Sequence, residues 1–127
     1  MDKFPTIEEI HEILDEIAEE IPEYFFEQLN EGIILIPEYK IHPESREMDR
    51  LYIMGEYSRS ITGRHIVIYY GSFKKVYNGV SMRTLREKLK DTLLHEFTHH
   101  LESLAGERGL EIKDFQDIQI YRKKRTD

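Results

Sequence analysis

The sequence predicts an α+β fold in which a small mixed or antiparallel sheet packs on one long helix, with further helices flanking it. The observations behind this prediction are helical periodicity at the start of the chain, two strand-like runs in its middle, and a stretch at 81–105 without Gly or Pro. A chain of 127 residues, 39% of them hydrophobic, is large enough for its own core. We therefore expect a single domain spanning residues 1–127.

The first helix is predicted by a capping box and an apolar stripe. Thr6 is followed three residues later by Glu9, which is the spacing of a capping box. Apolar residues then recur at intervals of three and four, as one face of a helix requires. They are Ile7, Ile10, Leu14, Ile17 and Ile21, and Pro22 ends the pattern. Residues 23–30 (EYFFEQLN) predict a short second helix before Gly32.

The middle of the chain predicts the sheet. Residues 33–36 (IILI) indicate a buried strand between Gly32 and Pro37. Residues 51–57 (LYIMGEY) and 64–70 (RHIVIYY) are rich in aromatic and β-branched side chains and are separated by the turn-like segment 58–63. Together they predict an antiparallel hairpin, whose second strand is closed by Gly71.

Residues 81–105 predict the long helix, with Ser81 as its N-cap and Gly106 as its stop signal. At about 100° per residue, its apolar side chains fall on one arc. They are Met82, Leu85, Leu89, Leu93, Phe97 and Leu104. His95 and His99 fall together well outside that arc, so we expect both on a face directed away from the core.

Composition and charge exclude several classes of protein. The net charge is −7, and residues 1–60 hold 16 acidic against 5 basic side chains, which argues against a nucleic-acid partner. No apolar run is long enough to cross a membrane, so we expect no membrane partner. The acidic start of the chain lacks the apolar core of a signal peptide. With no cysteine, only histidines and carboxylates remain as metal ligands. We expect a cytoplasmic protein; the oligomeric state is left open.

Residues 95–99 read His-Glu-Phe-Thr-His, the H-E-x-x-H zinc motif. Two histidines four residues apart on a helix lie on the same face, so both imidazoles can reach one metal ion. The carboxylate of Glu96 then projects beside the metal, where it can take a proton from a metal-bound water. The alternative is that both histidines simply belong to the solvated face of an amphipathic helix.

A catalytic zinc needs a third protein ligand, and the sequence leaves its identity open. The extended motif with a further histidine would need His at position 105, where the chain has Ala105. The remaining carboxylates are Glu102, Glu107, Glu111, Asp114 and Asp117. Glu102 lies on the same face as His99 and could bind the metal or brace that histidine. A ligand arriving from beyond the turn at 106–109 would give better tetrahedral geometry.

The chain resembles the small bacterial zinc metallopeptidases described as minimal zincins. The resemblance runs nearly from end to end and rests on LYIMGEY (51–57), HIVIYYGSF (65–73) and LLHEFTHHLESLAGERGLE (93–111). It implies a minimal zincin fold, with Zn²⁺ held by His95 and His99. Some members carry H-E-x-x-H-x-x-G-x-x-D with a final Asp ligand. This chain has a longer segment after the second histidine, residues 100–109, which is followed by LEIKD (110–114). If the last residue of LEIKD is matched to the final Asp of the motif, the resemblance implies Asp114 as the third ligand.

These observations lead us to expect a zinc-dependent metallopeptidase that acts on a peptide or protein substrate through a metal-activated water, with Glu96 as general base. The strand at 64–70 could offer its edge to an extended peptide. One of Tyr69, Tyr70 and Tyr77 could serve as a phenolic donor near the metal. Two alternatives stay open: a non-catalytic interaction or regulatory protein on the same scaffold, and a metal-dependent hydrolase acting on RNA.

Overall fold

The computed structural model describes residues 3–46 and 50–108, with the side chains of the last helix described as far as Gly106. The described residues form three α-helices and five strands, which confirms the α+β class. The helices are α1 (Ile7–Glu20), a 3-10 turn (Glu23–Phe26), α2 (Tyr70–Tyr77) and α3 (Met82–Arg108). The strands are β1 (Ile33–Ile36), β2 (Lys40–Ile41), β3 (Tyr52–Ile53), β4 (Gly55–Arg59) and β5 (Arg64–Tyr69). In the described part of the chain, no helix combines the length and apolar character needed to cross a membrane.

The capping box predicted for α1 is confirmed. The Thr6 hydroxyl accepts from the backbone N–H of Glu9 at 3.1 Å, while the Glu9 carboxylate accepts from the backbone N–H of Thr6 at 2.8 Å. The predicted apolar stripe turns inward and packs against α3: Ile10, Leu14, Ile17 and Ile21 are buried and Ile7 is half-buried. Ile13, which was not part of the predicted stripe, is buried as well. On the surface, Arg86 and Lys90 of α3 pair with Glu16 and Glu20 of α1.

The main sheet has three strands in the order β1-β5-β4, so β5 lies in its centre. β5 pairs in parallel with β1 and antiparallel with β4, which confirms the predicted hairpin. The expectation that residues 64–70 present a free edge is therefore wrong, because both sides of β5 are paired. β1 lies at one edge of the sheet with Ile34 40% exposed, so it is less buried than its sequence indicated.

The predicted strand at 51–57 is divided between two sheets. Tyr52–Ile53 pairs with Lys40–Ile41 in a separate two-stranded ladder, and Gly55–Arg59 forms the edge of the main sheet. No sequence signal indicated α2, which begins at Tyr70 directly after β5. Gly71 permits this change of direction, since a Cβ there would lie 2.5 Å from the backbone nitrogen of Tyr39. Gly71 therefore lies in the first turn of a helix, and the prediction that it closes the strand is wrong.

α3 supplies more buried core residues than any other described element, and it is longer than predicted. The Ser81 hydroxyl accepts from the N–H of Thr84 at 3.1 Å, as an N-cap does. Gly106 does not end the helix, because a single glycine costs only about 1 kcal/mol in a helix that packing already holds. The predicted arc is buried except for Met82, which is 48% exposed at the first turn. Leu94 and Leu101 are buried as well, and they belong to the same core cluster as Ile66 and Ile68 of β5.

Candidate metal centre

The H-E-x-x-H motif lies in the middle of α3, and the burial of its neighbours fixes the direction of its histidines. Phe97 is fully buried and packs edge-to-face on Phe26 with ring centroids 4.9 Å apart. Because this side of the helix is held in the core, His95 and His99 are turned outward and are exposed, as predicted.

The two exposed imidazoles face each other with the spacing that a metal ion needs. His95 Nε2 and His99 Nε2 are 3.1 Å apart. A tetrahedral zinc ion with bonds of about 2.0–2.1 Å to nitrogen requires two nitrogens about 3.3–3.4 Å apart. A small opening of the pair would therefore admit the ion, and the same two nitrogens have the donor chemistry that zinc prefers. These two imidazoles fit two of the ligand positions of a zinc site.

Glu96 differs from both histidines in its surroundings. Its side chain is only 5% exposed, yet it contributes to the wall of the groove that contains them. A carboxylate that is withdrawn from bulk water but reaches a groove can act on a water molecule held in that groove. This position agrees with the proton-accepting role expected of Glu96.

The groove runs between the edge strand β4 and helix α3, with a volume of about 730 Å³. This volume is in the range of small-molecule and peptide-side-chain sites. The residues lining it are Gly55, Glu56, Tyr57, Arg59, His95, Glu96, His99, Glu102 and Ser103. Gly55 sets its width, because a Cβ there would lie 3.0 Å from Thr92 Cγ2 and 3.0 Å from the carbonyl oxygen of Val67.

The described residues supply two ligands for a metal but not a third. Within residues 3–46 and 50–106, no set of three His, Asp or Glu side chains is gathered for a metal ion. Glu102 lies 3.5 Å from Nδ1 of His99, the ring nitrogen that points away from His95. That contact suits an outer partner that orients the imidazole rather than a ligand. Asp114, Glu111 and Asp117 lie outside the described residues, as does the side chain of Glu107.

A buried network next to the motif was not anticipated from the sequence. His100 is 0% exposed, and its Nε2 donates to the carbonyl oxygen of Glu27 at 2.7 Å. The pKa of His100 is lowered, mainly because the ring is buried and to a smaller extent because Arg64 is close. The hydrogen bond to Glu27 raises the pKa but does not reverse this shift. The ring is therefore neutral, and its Nδ1 accepts from the Tyr57 hydroxyl at 2.9 Å. Its position three residues after Phe97 could have indicated burial, because positions i and i+3 share a helix face.

A second cluster is centred on Glu56, which also lines the groove. The Glu56 carboxylate accepts from Lys40 Nζ at 2.8 and 3.0 Å and from the Tyr69 hydroxyl. Burial raises the pKa of Glu56, but these hydrogen bonds outweigh it and hold the pKa below its usual range. None of the three tyrosines considered as phenolic donors lines the groove: Tyr69 binds Glu56, Tyr70 donates to the carbonyl oxygen of Pro5, and Tyr77 packs on Phe73.

Comparison with known proteins adds a relative of known structure. No protein-family model and no curated protein matches the chain. A solved structure described as a conserved hypothetical protein from T. thermophilus superposes with a TM-score of 0.68 and is 36% identical, covering 80% of this chain and 99% of the other. This chain belongs to the same family as that protein. The relationship supports the α+β fold, and the description of the relative names no activity.

Proposed function

We propose that this protein is a zinc-dependent metallopeptidase of the minimal zincin type. The observation that carries the proposal is the pair of facing Nε2 atoms, 3.1 Å apart, on an exposed face of α3 beside Glu96. His95 and His99 would hold the ion, with Asp114 proposed as the third ligand from the resemblance described above. When bound, zinc would supply a Lewis acid that polarises a carbonyl group and acidifies water.

Glu96 would move the proton. One of its carboxylate oxygens accepts a proton from a water molecule in the groove as that water attacks the scissile carbonyl, and the same carboxyl group then protonates the leaving amine. Its place in the wall of the groove supports this role, because a general base must lie within hydrogen-bond reach of the water that it deprotonates. Glu102 would steady His99 through its Nδ1, which keeps Nε2 directed at the ion.

The substrate proposed is an extended peptide. Among the described strands, β4 is the outermost on its side of the sheet, and it forms one wall of the groove. An extended chain could add alongside β4 by main-chain hydrogen bonds, which would hold its carbonyl groups beside the histidine pair. In this proposal the peptide adds to β4 and not to residues 64–70, the strand that the sequence suggested.

The experiment combines metal content with peptide cleavage. Protein purified without chelator should contain about one zinc per chain, and His99→Ala should lose most of it. Glu96→Gln keeps the shape of the side chain but removes the proton acceptor. It should retain zinc while peptide cleavage, read by mass spectrometry on a mixed library, falls by about 100-fold or more.

His65→Ala is a matched control, because this histidine pairs with Glu31 and does not line the groove. It should leave both zinc content and cleavage unchanged. Zinc retained in both His95→Ala and His99→Ala would refute the metal site. Stoichiometric zinc without cleavage of any library peptide would instead favour a non-catalytic interaction protein.

A further inference from the structure

The phenol of Tyr57 joins the edge strand to the motif helix at a buried point. Tyr57 belongs to β4 and lines the groove, and its hydroxyl donates to His100 Nδ1 at 2.9 Å. His100 directly follows His99 in α3, and its other ring nitrogen donates to the carbonyl oxygen of Glu27 at 2.7 Å. The imidazole of His100 is therefore held from two sides, and it holds the phenol in turn.

This contact is the middle one of three that join β4 to α3. At one end Gly55 lies beside Thr92, since a Cβ on the glycine would be 3.0 Å from Thr92 Cγ2. At the other end Arg59 donates to Ser103 at 3.0 Å. Thr92 and Ser103 are half-buried, whereas His100 is fully buried. A hydrogen bond to a partner shielded from water is stronger than one at the surface, so the phenol holds the strand most firmly.

The main chain of the same tyrosine faces the open side of the sheet. Two hydrogen-bonded pairs show where the hairpin is bonded: Met54 with Tyr69, and Ser60 with Gly63. Bonded and non-bonded pairs alternate along an antiparallel ladder, so Gly55 and Tyr57 belong to non-bonded pairs. The N–H and C=O groups of these two residues therefore point away from β5, to the side on which none of the described strands lies.

We propose that Tyr57 and His100 are a positioning pair that sets the register of a bound peptide relative to His95 and His99. This proposal rests on the proposed peptidase function. The main chain of Tyr57 holds one residue of an extended peptide, while its phenol is fixed to α3 one residue beyond His99. A peptide carbonyl group bound to this strand is thereby kept at a constant distance from the histidine pair, as the orientation of a reacting group requires.

Removing the phenol oxygen separates positioning from metal binding. In Tyr57→Phe, β4 keeps its pairing with β5 but loses its buried attachment to α3. A peptide bound to β4 is then no longer held in one register. Zinc affinity should stay within about twofold of wild type, because His95 and His99 both belong to α3 and do not depend on the strand.

A scan of peptide main-chain donors measures the register. The zinc-loaded Glu96→Gln protein is used, because it is expected to bind peptides without cleaving them. The probe is the octapeptide of a mixed library that binds this protein most tightly, labelled for fluorescence anisotropy. Each main-chain nitrogen of the probe is N-methylated in turn, which removes one donor. Alternate residues of a strand face its neighbour, so methylation at every second position of the bound segment should weaken binding by about 3–10-fold.

This alternation should disappear when Tyr57→Phe is added, and His100→Leu should have the same effect. His100→Gln should preserve it, because the amide carries an acceptor and a donor on neighbouring atoms, as the neutral imidazole does. Tyr70→Phe is the matched control: it also removes a phenol, one that donates to the carbonyl oxygen of Pro5 at 2.6 Å and lies outside the groove. The control should lower stability and leave the alternation unchanged.

The outcomes separate this proposal from the peptidase proposal. Alternation that survives in Tyr57→Phe, or that is lost together with zinc or equally in Tyr70→Phe, overturns the positioning role even if the wild type cleaves peptides. Alternation lost only when the contact between Tyr57 and His100 is removed supports the role, and if the wild type cleaves no peptide, the proposed hydrolysis alone is overturned. Failure of every peptide to bind overturns both.

Discussion

Replacing Tyr57 with Phe should expose how strongly the buried network supports the motif helix. The change removes one oxygen atom and leaves the ring packing in place. His100 then keeps its bond to the Glu27 carbonyl but loses the phenol that donates to its Nδ1. The ring is 0% exposed, so solvent is not expected to take the place of the phenol without a rearrangement of the helix.

The magnitude follows from this burial. Leaving a buried acceptor unsatisfied costs about 1–3 kcal/mol, against a total stability of about 5–15 kcal/mol for a typical domain. Arg64 loses the same hydroxyl but retains Ser103, so its contribution to the loss is small. With an m-value of about 2 kcal/mol per molar urea, the unfolding midpoint should fall by about 0.5–1.5 M.

Urea unfolding of wild type and Tyr57→Phe measures this difference directly. Tyr39→Phe serves as the control, because that side chain is 46% exposed and its variant should stay within about 0.5 kcal/mol of wild type. In a His100→Leu background the acceptor is absent, so the same Tyr57→Phe change should cost at least about 1 kcal/mol less. An equal cost in both backgrounds would show that the hydroxyl acts through something other than His100.

Three further substitutions test other features. Thr6→Ala should lower the free energy of unfolding by about 1 kcal/mol in urea titrations, because it removes half of the capping box of α1; no change would mean that packing alone holds the helix start. Gly106→Ala should raise the free energy of unfolding by about 0.5–1 kcal/mol, since a Cβ at this position would have nothing within 4 Å; a lower free energy of unfolding would contradict the placement of Gly106 inside α3. Glu102→Gln should weaken zinc about 10-fold in chelator competition, whereas a loss as large as that in His99→Ala would make Glu102 a ligand.

Much of the fold could be predicted from local signals. The capping box, the 3.6-residue stripe of α1 and the outward direction of His95 and His99 depend on residues close together in the chain. Strand order could not be predicted in the same way. β5 is central because β1 pairs with it across 33 positions, Ile33 opposite Ile66, and nothing in either segment specifies that partner.

The sequence predicted the residues that α3 contributes to the candidate site, but not those that β4 contributes. The spacing of the motif identified His95, Glu96 and His99, which share one element. Tyr57 and Arg59 belong to the opposite wall, and only the approach of β4 to α3 at Gly55 brings them there. The third ligand stays a prediction, because Asp114 lies outside the described residues.

The position of β4 at the rim of the sheet has a consequence for how this family can diversify. The hairpin of β4 and β5 packs on the core mainly through β5, whose Ile66 and Ile68 are fully buried. The outer strand is held by the glycine at 55, by the phenol at 57 and by the polar contacts of Glu56 with Lys40 and of Arg59 with Ser103. Polar contacts at the surface contribute less to folding than buried apolar side chains do. Relatives should therefore keep the inner strand more closely than the outer one.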